Sequence, residues 1–345
     1  MVERLGFIMD AFGLDPDVYI PTVHGSGLIH KTYVVKREGL PAFILQQVNH
    51  HVFKNPEDIS HNLHVIENFL KVHQPDYPFT SLIPSREGND YVLEDGNYYR
   101  LFRFISGTHT IDACEHPGQA YEASLQFGRF TAMLNELPVE MLRYTIPGFH
   151  DLENRFRGFR EAMESGDPAR IQESRETARW LQSQIGIVDR YRSICDDPMV
   201  RKRVIHHDTK ISNVLLNDSA KGVCVIDLDT VMPGYFISDV GDMIRTYVSP
   251  ASEEEKDPDK ILFRKDCYQA IYQGYMENMG DLLSDKEKSS FLYAGKFMIY
   301  MQALRFFTDH LNNDRYYGAA YEGHNLVRAK NQVRLLQELL RFEDD

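Results

Sequence analysis

No run of apolar residues in this chain approaches a membrane span, and its first residues, Met-Val-Glu-Arg-Leu-Gly, do not read as a signal peptide. Cysteine is scarce. Cys114, Cys195, Cys224 and Cys267 are scattered, with neither metal-ligand spacing nor the density of a disulfide scaffold. That usage fits reduced thiols and a cytoplasmic compartment. Positive charge is outnumbered: 38 Lys plus Arg stand against 51 Asp plus Glu, for a formal net charge of −13. The balance argues against nucleic acid and anionic membrane as partners. It does not name a ligand, because excess charge is usually a solvated surface. Internal repeats and low-complexity tracts are also missing.

What is present is a large apolar inventory. Of 345 residues, 43% are hydrophobic, with 20 Phe and 19 Tyr. A chain of this length suits two lobes, each with its own core. Residues 1–16 read as a short helix ending near Gly13 and Pro16. Strands follow at Tyr19–Val23, Thr32–Lys36 and Phe43–Val48, the first two flanking Gly25-Ser-Gly27. Leu63, Ile66, Phe69 and Leu70 give a helix from about Asn55 to Val72. Asp95-Gly-Asn turns a hairpin between Tyr91-Val-Leu and Tyr98–Ile105, and Ile105-Ser-Gly-Thr108 is the candidate hinge. Beyond it the spacing is helical over 117–137, 151–163, 168–195, 259–279, 285–312 and 324–342, interrupted by a β segment over 204–229. Ser252-Glu-Glu-Glu-Lys-Asp-Pro reads as a mobile charged loop. The expectation is an α+β, protein-kinase-like two-lobe fold. A small β lobe would span residues 1–106 and a mainly helical lobe 107–345, with a cleft between them.

The β segment carries the chemistry. Val204-Ile-His-His-Asp-Thr-Lys-Ile-Ser-Asn213 is followed by the apolar strand Val223-Cys-Val-Ile, which ends at Asp227. An Asp with an Asn five residues on, and an Asp-terminated strand about nineteen residues on, is the layout of a kinase catalytic loop and its metal-binding strand. In that layout Asp208 accepts the proton of an acceptor hydroxyl. Asn213 and Asp227 offer oxygen ligands to Mg²⁺, and Asp229 is a further candidate ligand, since it shares a face with Asp227 if the strand continues. Lys210 is placed to neutralise charge on a transferred phosphate. Of His206 and His207, one reads as a core residue that orients the loop by hydrogen bonds. Gly25 and Gly27 could cover phosphates with backbone N–H groups, with His30 close behind. Asp239-Val-Gly-Asp242 opens the next helix, where either carboxylate could cap the helix or brace the loop.

These residues resemble the aminoglycoside-phosphotransferase and choline-kinase branch of the kinase-like superfamily. More narrowly, nearly the whole chain resembles the N-acetylhexosamine 1-kinases, which are anomeric sugar kinases. The narrower likeness runs through Gly25-x-Gly27-x-x-His30, Ile44-Leu-Gln-Gln-Val-Asn49, Asp208–Asn213 and Val225-Ile-Asp-Leu-Asp-Thr-Val-Met-Pro-Gly234. It continues through Asp239–Arg245, Leu304-Arg-Phe-Phe-Thr-Asp309 and Gly323-His-Asn-Leu326. The resemblance implies ATP- and Mg²⁺-dependent phosphorylation of the anomeric hydroxyl of GlcNAc or GalNAc. It also implies that Arg305 and Tyr316, with His30, contact the sugar or its phosphate. Read from the residues alone, Arg305 in an apolar helix needs a partner, and Asp309 four residues on is one. One departure stands out. Where protein kinases carry a strand lysine, this chain reads Leu45-Gln46-Gln47-Val48. Gln46 and Gln47 could donate to phosphate but bring no charge. Two other readings remain: a kinase for another small alcohol, such as choline or an aminoglycoside, and a non-catalytic nucleotide or sugar sensor.

Overall fold

The computed structural model describes residues 2–24 and 30–344, with side chains from residue 5 onward. Gly25 and Gly27 lie outside the described residues. The chain divides into two compact units. The first comprises Met1–His109, Glu136–Pro147 and Leu215–Pro233; the second comprises Thr110–Asn135, Gly148–Val214 and Gly234–Asp345.

The first unit is built on an antiparallel sheet. Its strands are β1 (Tyr19–Val23), β2 (Lys31–Arg37), β3 (Leu40–Val48), β4 (Leu82–Ile83), β5 (Val92–Glu94) and β6 (Asn97–Arg103). The order is β1-β2-β3-β6-β4, with β5 also pairing β6. The β5–β6 turn places Asp95 and Gly96 at φ 47° and 72°, the left-handed pair a two-residue hairpin needs. Helix α1 (Val2–Ala11) lays Ile8 and Met9 against Tyr33, Val35, Leu45, Tyr99 and Leu101, all buried. Helix α2 (Pro56–His73) starts with Pro56 and buries Ile59, Leu63, Ile66 and Leu70 at helical spacing. Its one fully buried amide, Asn62, ties in two distant segments. The Nδ2 donates to the carbonyls of Arg143 (2.8 Å) and Val231 (3.0 Å), and Oδ1 accepts the Arg143 N–H (2.8 Å). Segment 215–233 is thereby fastened to α2 just beyond Asp227.

The second unit is mainly helical: α3 (Pro117–Met133), α4 (Leu152–Ser165), α5 (Pro168–Glu173), α6 (Arg175–Ser183), α7 (Gly186–Cys195), α8 (Phe236–Tyr247), α9 (Lys265–Met279), α10 (Asp285–Lys288), α11 (Phe291–Leu311) and α12 (His324–Asp344). Helix α11 is buried along most of its length, with a polar stripe at Gln302, Arg305 and Asp309, and a helix of that kind belongs in the middle. It packs against α4, α7, α8 and α12. Two expected long helices are broken. The run 168–195 becomes three helices because the buried Ser174 turns its hydroxyl back onto the Arg170 carbonyl (2.5 Å), and Gln184 closes onto the Leu181 carbonyl. The run 285–312 breaks at Ser289 and Ser290, which bond back to Lys286. The charged loop at 252–258 is largely exposed but tethered. Asn331 on α12 donates to the carbonyls of Ser252 (3.0 Å) and Glu255 (3.1 Å), while Glu253 pairs with Arg245 and Arg328.

Close packing of α8 on α11 sets the position of the loop described below. At Gly241 a Cβ would meet the Ala294 carbonyl oxygen at 2.3 Å. Gly241→Ala must therefore push the two backbones apart. A loss of about 1–3 kcal/mol, the usual range for overpacking, is expected in urea unfolding of the variant against the parent chain.

Candidate active site

In the second unit, residues 206–213 hang from α8. Asp239 is fully buried; its Oδ2 accepts the His206 N–H (2.9 Å) and its Oδ1 the His207 N–H (2.7 Å). One turn on, Asp242 Oδ2 accepts the Thr209 N–H (2.9 Å), and its Oδ1 holds Arg245 through Nε (3.1 Å) and Nη2 (3.0 Å). Thr209 Oγ1 donates to the Asp239 carbonyl (2.8 Å), and Tyr247 donates its hydroxyl proton to the Thr209 carbonyl. His206 is buried edge-on to Phe127 and Phe130. His207 takes a left-handed φ of 65°. Gly234, which ends the Met-Pro-Gly motif, sits so close that a Cβ would meet His207 Nε2 at 2.6 Å. Both aspartates of the Asp-Val-Gly-Asp stretch thus brace the loop.

The braced loop presents Asp208, whose side chain is one-fifth exposed. Lys210 Nζ lies 3.1 Å from its Oδ1, and Asn213 Nδ2 donates to its Oδ2 (3.1 Å) and its carbonyl (2.8 Å). Burial opposes ionisation of Asp208, but the charges of Lys210 and His206 and the bonds from Lys210 and Asn213 hold its carboxyl below the ordinary value. With Nδ2 committed to Asp208, Asn213 keeps its amide oxygen for a hard cation.

A pocket of about 250 Å³ in the same unit is lined by Asn154, Arg155, Arg305, Asp309, Asn312, Tyr316 and Tyr317 among others. Arg305 lies 5.5 Å from the Phe149 ring, that ring lies 6.3 Å from His207, and His207 directly precedes Asp208. The Arg305–Asp309 ion pair expected from their spacing does not form. Asp309 instead accepts the N–H groups of Tyr316 (2.8 Å) and Tyr317 (2.9 Å) and a bond from Asn325. Arg305 donates to Gln302 (3.2 Å), and Arg155 donates to the carbonyls of Gly148 and Phe149. No carboxylate pairs with either arginine among the described residues. Burial, and then Arg305, lower the pKa of Arg155. Sequence reasoning singled out Arg305 and Tyr316 but missed Asn154, Arg155, Asn312 and Tyr317. These come from three separate segments, and no local pattern marks them.

In the first unit the strand ends at Val225, and the backbone turns left-handed at Asp227 (φ 60°) before a 3₁₀ turn over Leu228–Thr230. The shared face expected of Asp227 and Asp229 is therefore lost. Asp227 is exposed, while Asp229 is buried with an oxygen 2.6 Å from Arg100 and another 2.9 Å from His30. Burial opposes ionisation of Asp229, yet Arg100 and His30 hold its carboxyl down at about 2. One ligand-type atom each from His30, Asp227 and Asp229 lie within 4.8 Å of one another. Of the three, the Asp227 carboxylate is the exposed one, a hard oxygen donor of the kind Mg²⁺ takes. His30 also accepts the Asn49 N–H at Nδ1 (3.0 Å) and stacks on Phe53. Gln46 bonds Arg100 and Thr32, and Gln47 donates to Asn97 (2.6 Å). A larger groove of about 870 Å³, beside α1, α2 and residues 85–93, is lined by no residue expected at the site.

Solved structures with this arrangement of sheet and helices are numerous. The microcompartment-associated aminopropanol kinase is 15% identical, with a TM-score of 0.66 over 100% of this chain and 98% of its own. A spectinomycin phosphotransferase in complex with ADP and spectinomycin is 14% identical, with a TM-score of 0.64 over 99% and 98%. Choline kinase from Cryptosporidium parvum is 12% identical, with a TM-score of 0.55 over 99% and 96%. The fold is thus the α+β, protein-kinase-like one. The model of the phosphotransferase enzyme family matches residues 22–269, and the chain belongs to that family. No described helix is long and apolar enough to cross a membrane.

The brace has a pH signature. Burial pushes the Asp239 carboxyl up to about 6, against the pull of His206 and the two backbone donors. A carboxyl raised in the folded state binds more protons folded than unfolded, so its contribution is present at low pH and lost as pH rises through about 6. Asn at this position has no such loss. The stability difference between the parent and Asp239→Asn should therefore shift toward the variant between pH 4 and 7, read by urea unfolding at each pH. A difference that stays constant would give Asp239 an ordinary pKa.

Proposed function

We propose that the chain is an ATP-dependent kinase of a small neutral sugar, phosphorylating the anomeric hydroxyl of an N-acetylhexosamine. The pocket lining carries this reading. A cationic acceptor needs free carboxylates, whereas the only carboxylate of the 250 Å³ pocket, Asp309, is already bonded to two backbone N–H groups and Asn325. Arg155, Arg305, Asn154, Asn312 and the two tyrosines are the mixed donors and faces that sugar hydroxyls and an acetamido carbonyl require. Membership in the phosphotransferase family supports the reaction class.

Roles follow from each residue's surroundings. Asp208, held ionised by Lys210 and Asn213, orients the acceptor hydroxyl and takes its proton late in transfer. Lys210 offsets charge on the transferred group. Asp227 and the amide oxygen of Asn213 would each offer an oxygen ligand to Mg²⁺, which would supply charge neutralisation for the nucleotide phosphates. Arg305 and Tyr316 contact the sugar. Residues 1–106 serve the nucleotide, through Gly25 and Gly27 among others, and residues 107–345 carry the catalytic and acceptor-binding groups.

A second reading, an amino-alcohol or aminocyclitol acceptor, draws on the likeness to the aminopropanol kinase, the choline kinase and the spectinomycin phosphotransferase. A panel of free sugars, amino sugars and amino alcohols separates the two. GlcNAc or GalNAc should turn over faster than glucose or galactose, because losing the acetamido group leaves polar partners unpaired. The methyl glycoside, with its anomeric oxygen blocked, should be inert. Phosphorylation of methyl-GlcNAc at the rate of GlcNAc would end the anomeric reading, and turnover of cationic acceptors alone would install the second.

Asp208→Asn should keep nucleotide binding and lose roughly 10²–10⁴-fold in kcat on the best acceptor, the usual range for a general base. Near-full turnover in the variant would remove Asp208 from the role.

A further inference from the structure

One buried cation in the first unit has no counterpart in the sequence reading. Arg100 lies in the middle of β6 and is 4% exposed. Its partner across the sheet is Gln46 on β3, the strand where a kinase-type site carries lysine and this chain does not. Arg100 donates to Gln46 Oε1 through Nε (3.2 Å) and Nη2 (2.9 Å), and Nη2 lies 2.6 Å from Asp229 Oδ1. His30 Nδ1 accepts the Asn49 N–H, which leaves the ring proton on Nε2, 2.9 Å from Asp229 Oδ2. Asp229 is thus held through Oδ1 by Arg100 from β6, while its Oδ2 lies near His30, the residue before β2, without a hydrogen bond in line. Two residues earlier stands Asp227, exposed and left-handed. A non-glycine residue keeps that conformation where its surroundings fix it. The anchored Asp229 side chain fixes the turn from one side.

We infer that Arg100 and Asp229 are positioning residues. Their buried charge pair stands in for the pairing usually made by the strand lysine, and it sets the turn that aims Asp227 at a metal-bound nucleotide. Asp229 on this account is not itself a ligand. The inference rests on the proposed kinase reading for the identity of the ligand, and on this chain's own bonds for the rest. Breaking one side of a buried pair loosens the other, and removing a partner that orients a metal ligand typically lowers metal affinity by about 10–100-fold.

The test needs no acceptor and no turnover. ADP binding is measured by calorimetry with and without Mn²⁺, and Mn²⁺ binding is followed by electron paramagnetic resonance. Arg100→Met should weaken Mn²⁺·ADP about 10–100-fold and leave metal-free ADP within about threefold; Arg100→Lys should recover part of the loss. Asp227→Asn, which removes a ligand, should weaken Mn²⁺·ADP the most. Unchanged Mn²⁺·ADP affinity in a folded Arg100→Met overturns the inference. So does an equal loss with and without metal, which would put Arg100 on the nucleotide itself. If melting shows Arg100→Met unfolded, the isosteric Asp229→Asn carries the comparison. A loss of about 10–100-fold, smaller than that of Asp227→Asn, supports positioning; a loss as large makes Asp229 a ligand and overturns it. A parent chain that binds ADP no better with Mn²⁺ than without would remove the kinase reading before any variant is made.

Discussion

Asp239 and Asp242 stand one turn apart on α8 and take the backbone N–H groups of His206, His207 and Thr209. A buried carboxylate is costly unless its oxygens are bonded. Here the loop backbone satisfies Asp239, and the loop together with Arg245 satisfies Asp242. The dependence runs both ways. Residues 206–209 cannot bond as helix or sheet while His207 is left-handed, so their donors need acceptors from elsewhere. Helix α8 supplies them only if it lies close to the core helix α11, and Gly241 allows that approach. The exposed edge of this assembly is Asp208.

The same logic repeats farther out. Arg245 bridges Asp242 to Glu253, and Glu253 passes the contact to Arg328 on α12. A loop that reads as charged and mobile is therefore part of the support for residues 206–209. In the first unit, Arg100 and Asp229 form a second buried pair next to Asp227. Both carboxylates expected to do chemistry, Asp208 and Asp227, reach outward, while charged residues behind them are buried and paired.

Net charge and the charge lining the pocket differ in this molecule. A formal charge of −13 would suit a cationic ligand. Yet the pocket on the second unit holds two arginines without carboxylate partners among the described residues, and an aspartate whose acceptors are used. Screening confines surface charge to short range, so the groups lining a pocket outweigh the total.

The α+β, kinase-like fold, most element boundaries and the closeness of Asp208 to Asn213 could be read from the sequence. They rest on local signals: strand and helix periodicity, turn residues, and a fixed spacing within one β segment. The breaks at Ser174 and Ser289–Ser290 could not be read so, because a serine bonds back to the helix only where packing turns it inward. Asp229 shows the limit most clearly. Alternation along a strand put it on the face of Asp227, but the strand ends at Val225 and the turn buries one and exposes the other. Arg305 shows it again: four-residue spacing offered Asp309 as its partner, and Asp309 went to the backbone of residues 316 and 317. The sequence by itself determined which residue types sit in which order along the catalytic segment. Only the tertiary structure decided which charges neutralise one another, because ion pairing depends on distances between segments far apart in the chain.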